Sequence, residues 1–368
     1  MLETALDMYW LGQVLGLGSR ARRVLTDLPG DLDFLDAARR GLLPVPLDRY
    51  PQARSPFPVP GRPGTGVRRA GTALAGRRVA VAASGGSGAM ASLLGVLRAF
   101  EEAQVRPTAM TVSSGSALFG LPWATGRSAD EVAEFLLGLH PRDYVDPDWV
   151  GLLRAAPALG RGFGGLLRGE ALEATLHRFL GDIRLGDLPV PCYAPAWSIE
   201  ENRVQFLGTR TTPDLPVARA IRVAMALPIW VAPVRLDDGA WCDGGLVDVF
   251  PVAPLLDVEP PPDIALTVNA YFPSGLVAEV DTGWDERALS LLNIESQFRT
   301  AQHLQVARQN MARLLAACPV VTVEPVPYSV VRGAGLYRQY VDTRNWPRFM
   351  LDGLRAGRRA LVAAAGRT

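Results

Sequence analysis

Short apolar runs alternate with helical patterns through the middle of the chain. Arg78–Ser84 (RVAVAAS) is apolar and partly β-branched, which is typical of a buried strand. The segment after its glycine-rich turn, MASLLGVLRAFEEA, repeats apolar residues at helical spacing. A second strand is predicted at Thr108–Ser113, and ALFGL begins a second helix after a serine-rich turn. This order of strand, turn and helix predicts a mostly parallel α/β sheet.

The pattern after residue 127 predicts more strands and several helices. Residues 128–186 are helical and apolar; this insertion could hold a lid or an acyl-chain pocket, although plain helical packing is the simpler interpretation. Two hairpins are predicted, turning near Glu200–Asn202 and at Asp237-Asp238-Gly239. The remaining predictions are strands in DIALTVNAYF and PVVTVEPV, a helix in PVARAIRVAMALP, a long helix over Asp285–Ala317 and a terminal helix over Trp346–Ala365.

The ends of the chain extend this core. Residues 1–44 have a helical pattern, and Pro44–Gly66 is rich in proline and glycine without periodicity, which indicates an extended connector. The sequence therefore predicts three units: an N-terminal extension over residues 1–75, an α/β domain over 76–330, and a C-terminal helical segment over 331–368 that packs on the domain.

Composition narrows the possible functions. The 368 residues are 48% hydrophobic and 20% charged with a formal net charge of +1, which is typical of a globular protein and gives no cationic face for nucleic acid. All 38 cationic residues are arginine. Schiff-base chemistry and Walker-type phosphate loops both require lysine, so both are excluded.

Cysteine usage and hydropathy favour a cytoplasmic protein. The three cysteines lack paired spacing, so they predict neither a disulfide framework nor a zinc site, and no metal is expected. The N-terminus has no cationic segment of a secretory signal, and no apolar run approaches ~20 residues. The terminal helix has an apolar face and several arginines. Packing on the domain is its favoured role, and peripheral contact with an anionic membrane is the alternative.

Three segments carry candidate chemistry, and the first is the glycine loop Ser84-Gly85-Gly86-Ser87-Gly88. It joins a predicted strand to a helix, where backbone N–H groups can converge on a phosphate or an oxyanion. A glycine turn at such a place is more often only a turn, so the loop alone is weak evidence.

The second segment is the serine turn Val112–Ser116 at the next strand–helix junction. A nucleophile elbow needs small neighbours around a strained serine, and Ser113, Gly115 and Ser116 are small. A helix cap is the common role of such a serine. Adjacent parallel strands, however, would place this turn beside the glycine loop, so that a hydroxyl and N–H donors could face one carbonyl.

The third segment is Asp243-Gly244-Gly245, at the end of a predicted strand. Asp-Gly-Gly is normally a turn. A carboxylate can also act as a general base when partial desolvation raises its pKa from ~3.9 towards the working pH. The two glycines would leave the approach to a serine open.

Together these segments resemble the patatin-like phospholipase family. The matching stretches are SGGSGAMASLLGVLRAFEEAQV, VSSGSALFG and TPDLPVARAIRVAMALPIWVAPVRLDDGAWCDGGLVDVFPV, and the likeness spans about Arg77 to Pro325. The Ser-Gly-Ser elbow is closer to the cytosolic phospholipase A2 branch. The resemblance implies a three-layer α/β/α fold and a cytoplasmic serine esterase of lipid metabolism that degrades lipid or acyl esters without a cofactor.

The resemblance also implies roles for individual residues. Ser114 is the expected nucleophile and Asp243 the expected base, forming a Ser–Asp dyad. The expected oxyanion hole comprises Gly85, Gly86, Ser87 and Gly88. The expected supports of the elbow and of the aspartate loop are Gly115, Gly244 and Gly245.

Two positions depart from the family pattern. Its loop usually reads Gly-Gly-Gly-x-Arg/Lys, whereas this chain has Ser87 at the third glycine and Ala89 at the cation. Losing that cation would weaken phosphate binding or oxyanion stabilisation. Val112 stands where the elbow usually has glycine, and a frame shifted by one residue would make Ser113 the nucleophile.

Alternatives remain open at this point. His303 could complete a Ser–Asp–His triad, but it lies in a predicted long helix and is better interpreted as an ordinary helix residue. A lipid- or acyl-binding protein with reduced or lost catalysis and an acyltransferase on the same scaffold are the other functions considered.

Overall fold

The computed structural model of the protein describes residues 54–58, 64–155, 161–237, 239–278, 290–331 and 343–367. Ten strands occur in these residues, and eight of them form one mixed sheet. They are β1 (Val79–Ala83), β2 (Ala109–Thr111), β3 (Gly165–Leu167), β4 (Cys192–Ser198), β5 (Arg203–Gly208), β6 (Ile229–Val231), β7 (Val234–Leu236), β8 (Gly239–Asp243), β9 (Ile264–Val268) and β10 (Val320–Val323). The strands β3 and β6 pair separately, as a two-stranded parallel sheet.

The main sheet has a parallel centre and an antiparallel side. Its order is β10-β9-β1-β2-β4-β8-β7, and β10, β9, β1, β2 and β4 pair in parallel. The hairpin of β4 and β5 and the hairpin of β7 and β8 are antiparallel, as is the pairing of β4 with β8. A parallel sheet places the carboxyl ends of its strands at one edge, where ligands bind in open α/β proteins.

Helices cover both faces of the sheet. The described α-helices are α1 (Thr65–Leu74), α2 (Ala91–Ala103), α3 (Gly115–Ala124), α4 (Ala129–Leu137), α5 (Trp149–Ala155), α6 (Glu170–Leu180), α7 (Val217–Ala224), α8 (Ala253–Leu256), α9 (Ser290–Ala317), α10 (Tyr328–Val331) and α11 (Trp346–Ala365). Alternate residues of β1 point into two different cores: Val79, Val81 and Ala83 pack with α2, α3 and α11, whereas Ala80 and Ala82 pack with α8 and α9. This period of two confirms the three-layer α/β/α architecture.

The terminal helix α11 packs against α2 with almost no space between their backbones. A Cβ on Gly95 of α2 would lie 1.9 Å from the Met350 carbonyl oxygen, and a Cβ on Gly353 would lie 1.9 Å from that of Ser92. The guanidinium of Arg358 donates two hydrogen bonds to Glu102, at 2.7 and 2.8 Å. The apolar face of α11 is therefore buried against the domain.

Most of the predicted elements are present, with local differences. The β4–β5 and β7–β8 hairpins and the bounds of α11 agree with the sequence patterns. The run VAPVRL before the predicted turn at Asp237 is divided between β6 and β7, because Val231 pairs with the small sheet and Val234 with the main one. The predicted N-terminal helices and the start of the long helix at Asp285 lie outside the described residues.

Candidate active site

The turn between β2 and α3 holds Ser114 in a strained conformation. Its φ and ψ are 48° and −123°, a region that costs a non-glycine residue about 1–3 kcal/mol and that persists only where the surroundings impose it. The Ser116 hydroxyl accepts a hydrogen bond from the Ser113 N–H at 2.7 Å and donates one to the Ser113 carbonyl at 2.9 Å. A serine strained on a strand–helix turn is the defining feature of nucleophile-elbow α/β proteins.

The two neighbouring serines of this turn have different surroundings. Ser113 is completely buried, and its hydroxyl donates to the main-chain carbonyl of Asp248 at 3.2 Å. Ser114 is partly exposed, and its hydroxyl forms a hydrogen bond to the carboxylate of Asp243. Only Ser114 of this pair therefore combines access from solvent with a carboxylate partner.

The position of Asp243 opposite the elbow follows from how β2 and β8 share β4. β5 pairs with residues 193–198 of β4 along one edge, so β2 and β8 must both pair along the other edge. β2 reaches Tyr193 through Thr111, and β8 runs in the opposite direction and ends where Asp243 pairs with Ala196. The carboxyl ends of β2 and β8 thus point at each other across a short gap.

Asp243 is a buried carboxylate with an unusual affinity for its proton. Its side chain is 2% exposed, and Oδ1 accepts a hydrogen bond from the Gly245 N–H at 2.8 Å. Burial raises the pKa of Asp243 to about 7, although the hydrogen bonds from Ser114 and Gly245 act to lower it. A group with this pKa can accept a proton and return it near neutral pH.

Glycines bring the three sequence segments into contact. A Cβ on Gly245 would lie 2.6 Å from Ser113 Oγ, 2.9 Å from Asp243 Oδ1 and 3.1 Å from Ser114 Cβ, so any side chain there would fill the centre of the site. A Cβ on Gly115 would lie 2.1 Å from the Gly86 carbonyl oxygen, which shows how closely the elbow contacts the glycine loop. Gly244 likewise packs on the backbone of β4.

The glycine loop lies beside the elbow and is completely buried. The N–H of Gly85 donates to the Val249 carbonyl at 2.5 Å, so the prediction that Gly85 is an oxyanion donor is wrong, and this residue anchors the loop instead. Gly86 has a φ of +147°, which favours glycine. Ser87 and Gly88 stand at the start of the 3-10 turn Gly88–Met90 before α2, where N–H groups lack intrahelical partners.

The segment Leu246–Pro251, here called the strap, supports all three parts of the site. Besides the bonds from Gly85 and Ser113, its Pro251 carbonyl accepts a hydrogen bond from the Thr111 hydroxyl at 2.6 Å. Sequence reasoning missed the strap, because main-chain carbonyls carry no residue signature. The available signal was the presence of two polar residues, His303 and Asn310, on the buried apolar face of α9.

His303 does not complete a triad. Its Nε2 lies 2.9 Å from the Leu246 carbonyl and its Nδ1 lies 3.0 Å from the Tyr271 hydroxyl. Both ring nitrogens thus have partners away from the carboxylate of Asp243, which bonds to Ser114 and Gly245. His140 contacts the Gly138 carbonyl through Nδ1.

Among the described His, Cys, Asp and Glu residues, no group of three is placed to hold a metal ion. None of the described helices is both long enough and apolar enough to span a bilayer.

Comparisons with known proteins agree with the fold and the motifs. Residues 81–256 match the model of the patatin-like phospholipase family. Uncharacterized NTE family proteins of Mycobacterium bovis and Mycobacterium tuberculosis are 28% identical over 195 residues, which cover 52% of this chain and 49% of theirs. The chain thus spans about half the length of the curated relatives it matches.

Solved structures of low identity are also similar. VipD from Legionella pneumophila is 13% identical, with a TM-score of 0.40 over 78% of this chain and 67% of its own. Human GIVD cytosolic phospholipase A2, in complex with methyl gamma-linolenyl fluorophosphonate, is 12% identical, with a TM-score of 0.39 over 83% of this chain and 62% of its own. The match of residues 81–256 to the patatin-like phospholipase model confirms the resemblance found in the sequence.

Proposed function

We propose that this protein is a serine hydrolase of lipid acyl esters, with Ser114 as nucleophile and Asp243 as its base. The observation that carries the proposal is the pairing of a strained, accessible serine with a buried carboxylate whose pKa is raised to about 7. A strained backbone and a raised pKa both destabilise the folded protein, so they persist mainly at sites where function requires them. The patatin-like match supports the lipid ester as substrate class.

The proposed reaction follows from this geometry. Asp243 accepts the hydroxyl proton of Ser114 as Ser114 Oγ attacks the ester carbonyl and forms a tetrahedral oxyanion. The C–O bond to the alcohol then breaks, the alcohol takes the proton from Asp243, and an acyl-serine remains. Water attacks the acyl-serine, its proton passes to Asp243, and the released Ser114 oxygen recovers that proton.

N–H groups of Gly86, Ser87 and Gly88 are the proposed oxyanion donors. Ser87 and Gly88 stand at the start of the turn that leads into α2, where the helix dipole also favours negative charge, and Gly86 directly precedes them. The family's loop cation falls on Ala89, which is completely buried, so stabilisation of the oxyanion would rest on backbone donors and the helix. We further propose residues 76–330 as the catalytic unit, stabilised by the packing of α11 on α2.

Matched serine variants test the proposal. Ser114→Ala should abolish p-nitrophenol release from p-nitrophenyl acyl esters and should prevent labelling by a fluorophosphonate probe. Ser113→Ala should keep fluorophosphonate labelling and measurable release at a reduced rate, because it loosens the contact with the Asp248 carbonyl but leaves the hydroxyl of Ser114 in place. Release that survives Ser114→Ala but not Ser113→Ala would move the nucleophile by one residue and contradict the proposed dyad.

A lipid- or acyl-binding protein is the second candidate, and the buried Ala89 in place of the loop cation is the observation that favours it. A protein that binds lipid esters but neither hydrolyses them nor reacts with the probe would support this candidate. Adding alcohol or thiol acceptors to the ester assay would separate hydrolysis from acyl transfer, since a transferase would form the new ester or thioester in place of free acid.

A further inference from the structure

One face of α9 contacts the strap along its length. His303 Nε2 lies 2.9 Å from the Leu246 carbonyl, and Asn310 Nδ2 donates to Asp248 Oδ1 and to the Phe250 carbonyl, both at 2.9 Å. Residues seven apart lie on one face of a helix and are separated by about 10 Å along its axis. Along the strap the contacts follow the same order as along the helix, with His303 at Leu246 and Asn310 at Asp248 and Phe250. The helix and the strap therefore run side by side in the same direction.

The other side of the strap contacts the catalytic segments. The Val249 carbonyl binds the N–H of Gly85 at 2.5 Å, and the Asp248 carbonyl binds the Ser113 hydroxyl at 3.2 Å. The strap also follows Asp243-Gly244-Gly245 directly in the chain. A displacement of the strap would therefore shift the glycine loop, the elbow and the aspartate relative to one another.

Both side chains on α9 are buried at a place where apolar residues would be expected. His303 and Asn310 are each 7% exposed, and they share their helix face with the apolar residues Leu304, Ala307 and Leu314. Burying a polar side chain destabilises the fold unless the side chain is hydrogen-bonded, and an apolar residue would fill this place without that requirement. The presence of two polar side chains here therefore points to a role for their hydrogen bonds. Their main-chain partners all lie within the strap.

We propose that His303 and Asn310 are positioning residues for acyl transfer, which hold the strap and through it fix the oxyanion loop relative to Ser114. This inference rests on the proposed hydrolase function. Neither side chain contacts the reacting atoms. His303 acts through the Leu246 carbonyl, and Asn310 acts through the Phe250 carbonyl and the Asp248 carboxylate. Misplacement of a catalytic group by about 1 Å can reduce a rate by about a hundredfold, so small shifts of the strap matter.

Leucine variants with exposed neighbours as controls test this role on p-nitrophenyl esters. His303→Leu and Asn310→Leu should lower kcat by about tenfold to a hundredfold and leave KM within about twofold. Gln302→Leu and Gln309→Leu, which change exposed residues next to them on the same helix, should leave both constants unchanged. The rate of fluorophosphonate labelling should fall in parallel with kcat.

Two conservative variants separate positioning from folding. His303→Gln keeps an N–H donor near the place of Nε2 and should restore most of kcat, whereas His303→Asn is too short to reach the Leu246 carbonyl and should not. Equal kcat in these two variants, or leucine variants that change only the melting temperature, would overturn the positioning role. An inactive and unlabelled wild type would instead count against the hydrolase function, and against this inference with it.

Discussion

Asp243→Asn should stabilise the protein at alkaline pH while abolishing its catalysis. The folded pKa of Asp243 is about 7 against a value of 3.8 for the free side chain, and burial is the main cause. At 1.36 kcal/mol per pKa unit, this difference corresponds to about 4 kcal/mol of lost stability above pH 7. Asparagine keeps an oxygen for the N–H of Gly245 and carries no charge, so the variant should regain much of this free energy.

The protonation of Asp243 in the folded and unfolded chains determines how its effect on stability changes with pH. Below pH 4 both folded and unfolded chains hold the proton, and Asp243 carries no penalty. As pH rises towards 7 the unfolded chain ionises first, so the wild type loses stability, and above 7 the loss is constant. The advantage of the variant in free energy of unfolding should therefore grow by about 2–3 kcal/mol between pH 5 and pH 8.

Urea denaturation of both proteins at pH 5, 6, 7 and 8 measures this difference. Asp263→Asn is the control of opposite sign: a hydrogen bond from the Arg78 N–H lowers the pKa of Asp263, so its stabilising effect is present at neutral pH and is lost on acidification. The wild-type kcat/KM should rise with pH to a plateau above about 7. An advantage for Asp243→Asn that does not change with pH would refute the raised pKa.

Three further variants test the packing of the site and of the domain. Gly115→Ala should remove esterase activity and about 3 kcal/mol of stability, since its Cβ would lie 2.1 Å from a loop carbonyl. Gly64→Ala, with no atom within 4 Å of its Cβ and far from the site in the chain, should keep the activity. Gly353→Ala should cost a similar free energy in urea denaturation, because its Cβ would lie 1.9 Å from a carbonyl of α2; an unchanged midpoint would contradict this contact. Thr111→Val should cost about 1–3 kcal/mol by leaving the Pro251 carbonyl without its donor, and equal stability of the two proteins would show that this bond is dispensable.

Local patterns predicted the parts of the fold that depend on neighbouring residues. The core of β1 and the bounds of α11 follow from residue periodicity, and the hairpins follow from their turn residues. The pairing of β8 with β4 could not be predicted this way, because it joins residues distant in the chain. It is this pairing that places Asp243 opposite the elbow.

The candidate site was predicted as a set of residues but not as a network. Family resemblance named Ser114 and Asp243, which are joined by a hydrogen bond, and their roles as nucleophile and base are proposals. The role of Gly85 was mistaken, because glycine letters do not reveal which N–H groups are already bonded. Asn310 went unnoticed because one polar residue in a long, partly exposed helix is a weak signal.

The meeting of β2 and β8 along one edge of β4 has a consequence for engineering. The segment that holds α4, α5, β3 and α6 lies between α3 and β4 in the chain, while the hydrogen bonds of β4 hold the ends of β2 and β8 in place. A graft of this segment from a relative would keep the two strand ends but would have to include β6, because β3 of the segment pairs with β6. Under the proposed hydrolase function, a preferred acyl-chain length that follows the donor would assign the acyl-chain pocket to this segment, while the pH at half-maximal rate would follow the recipient.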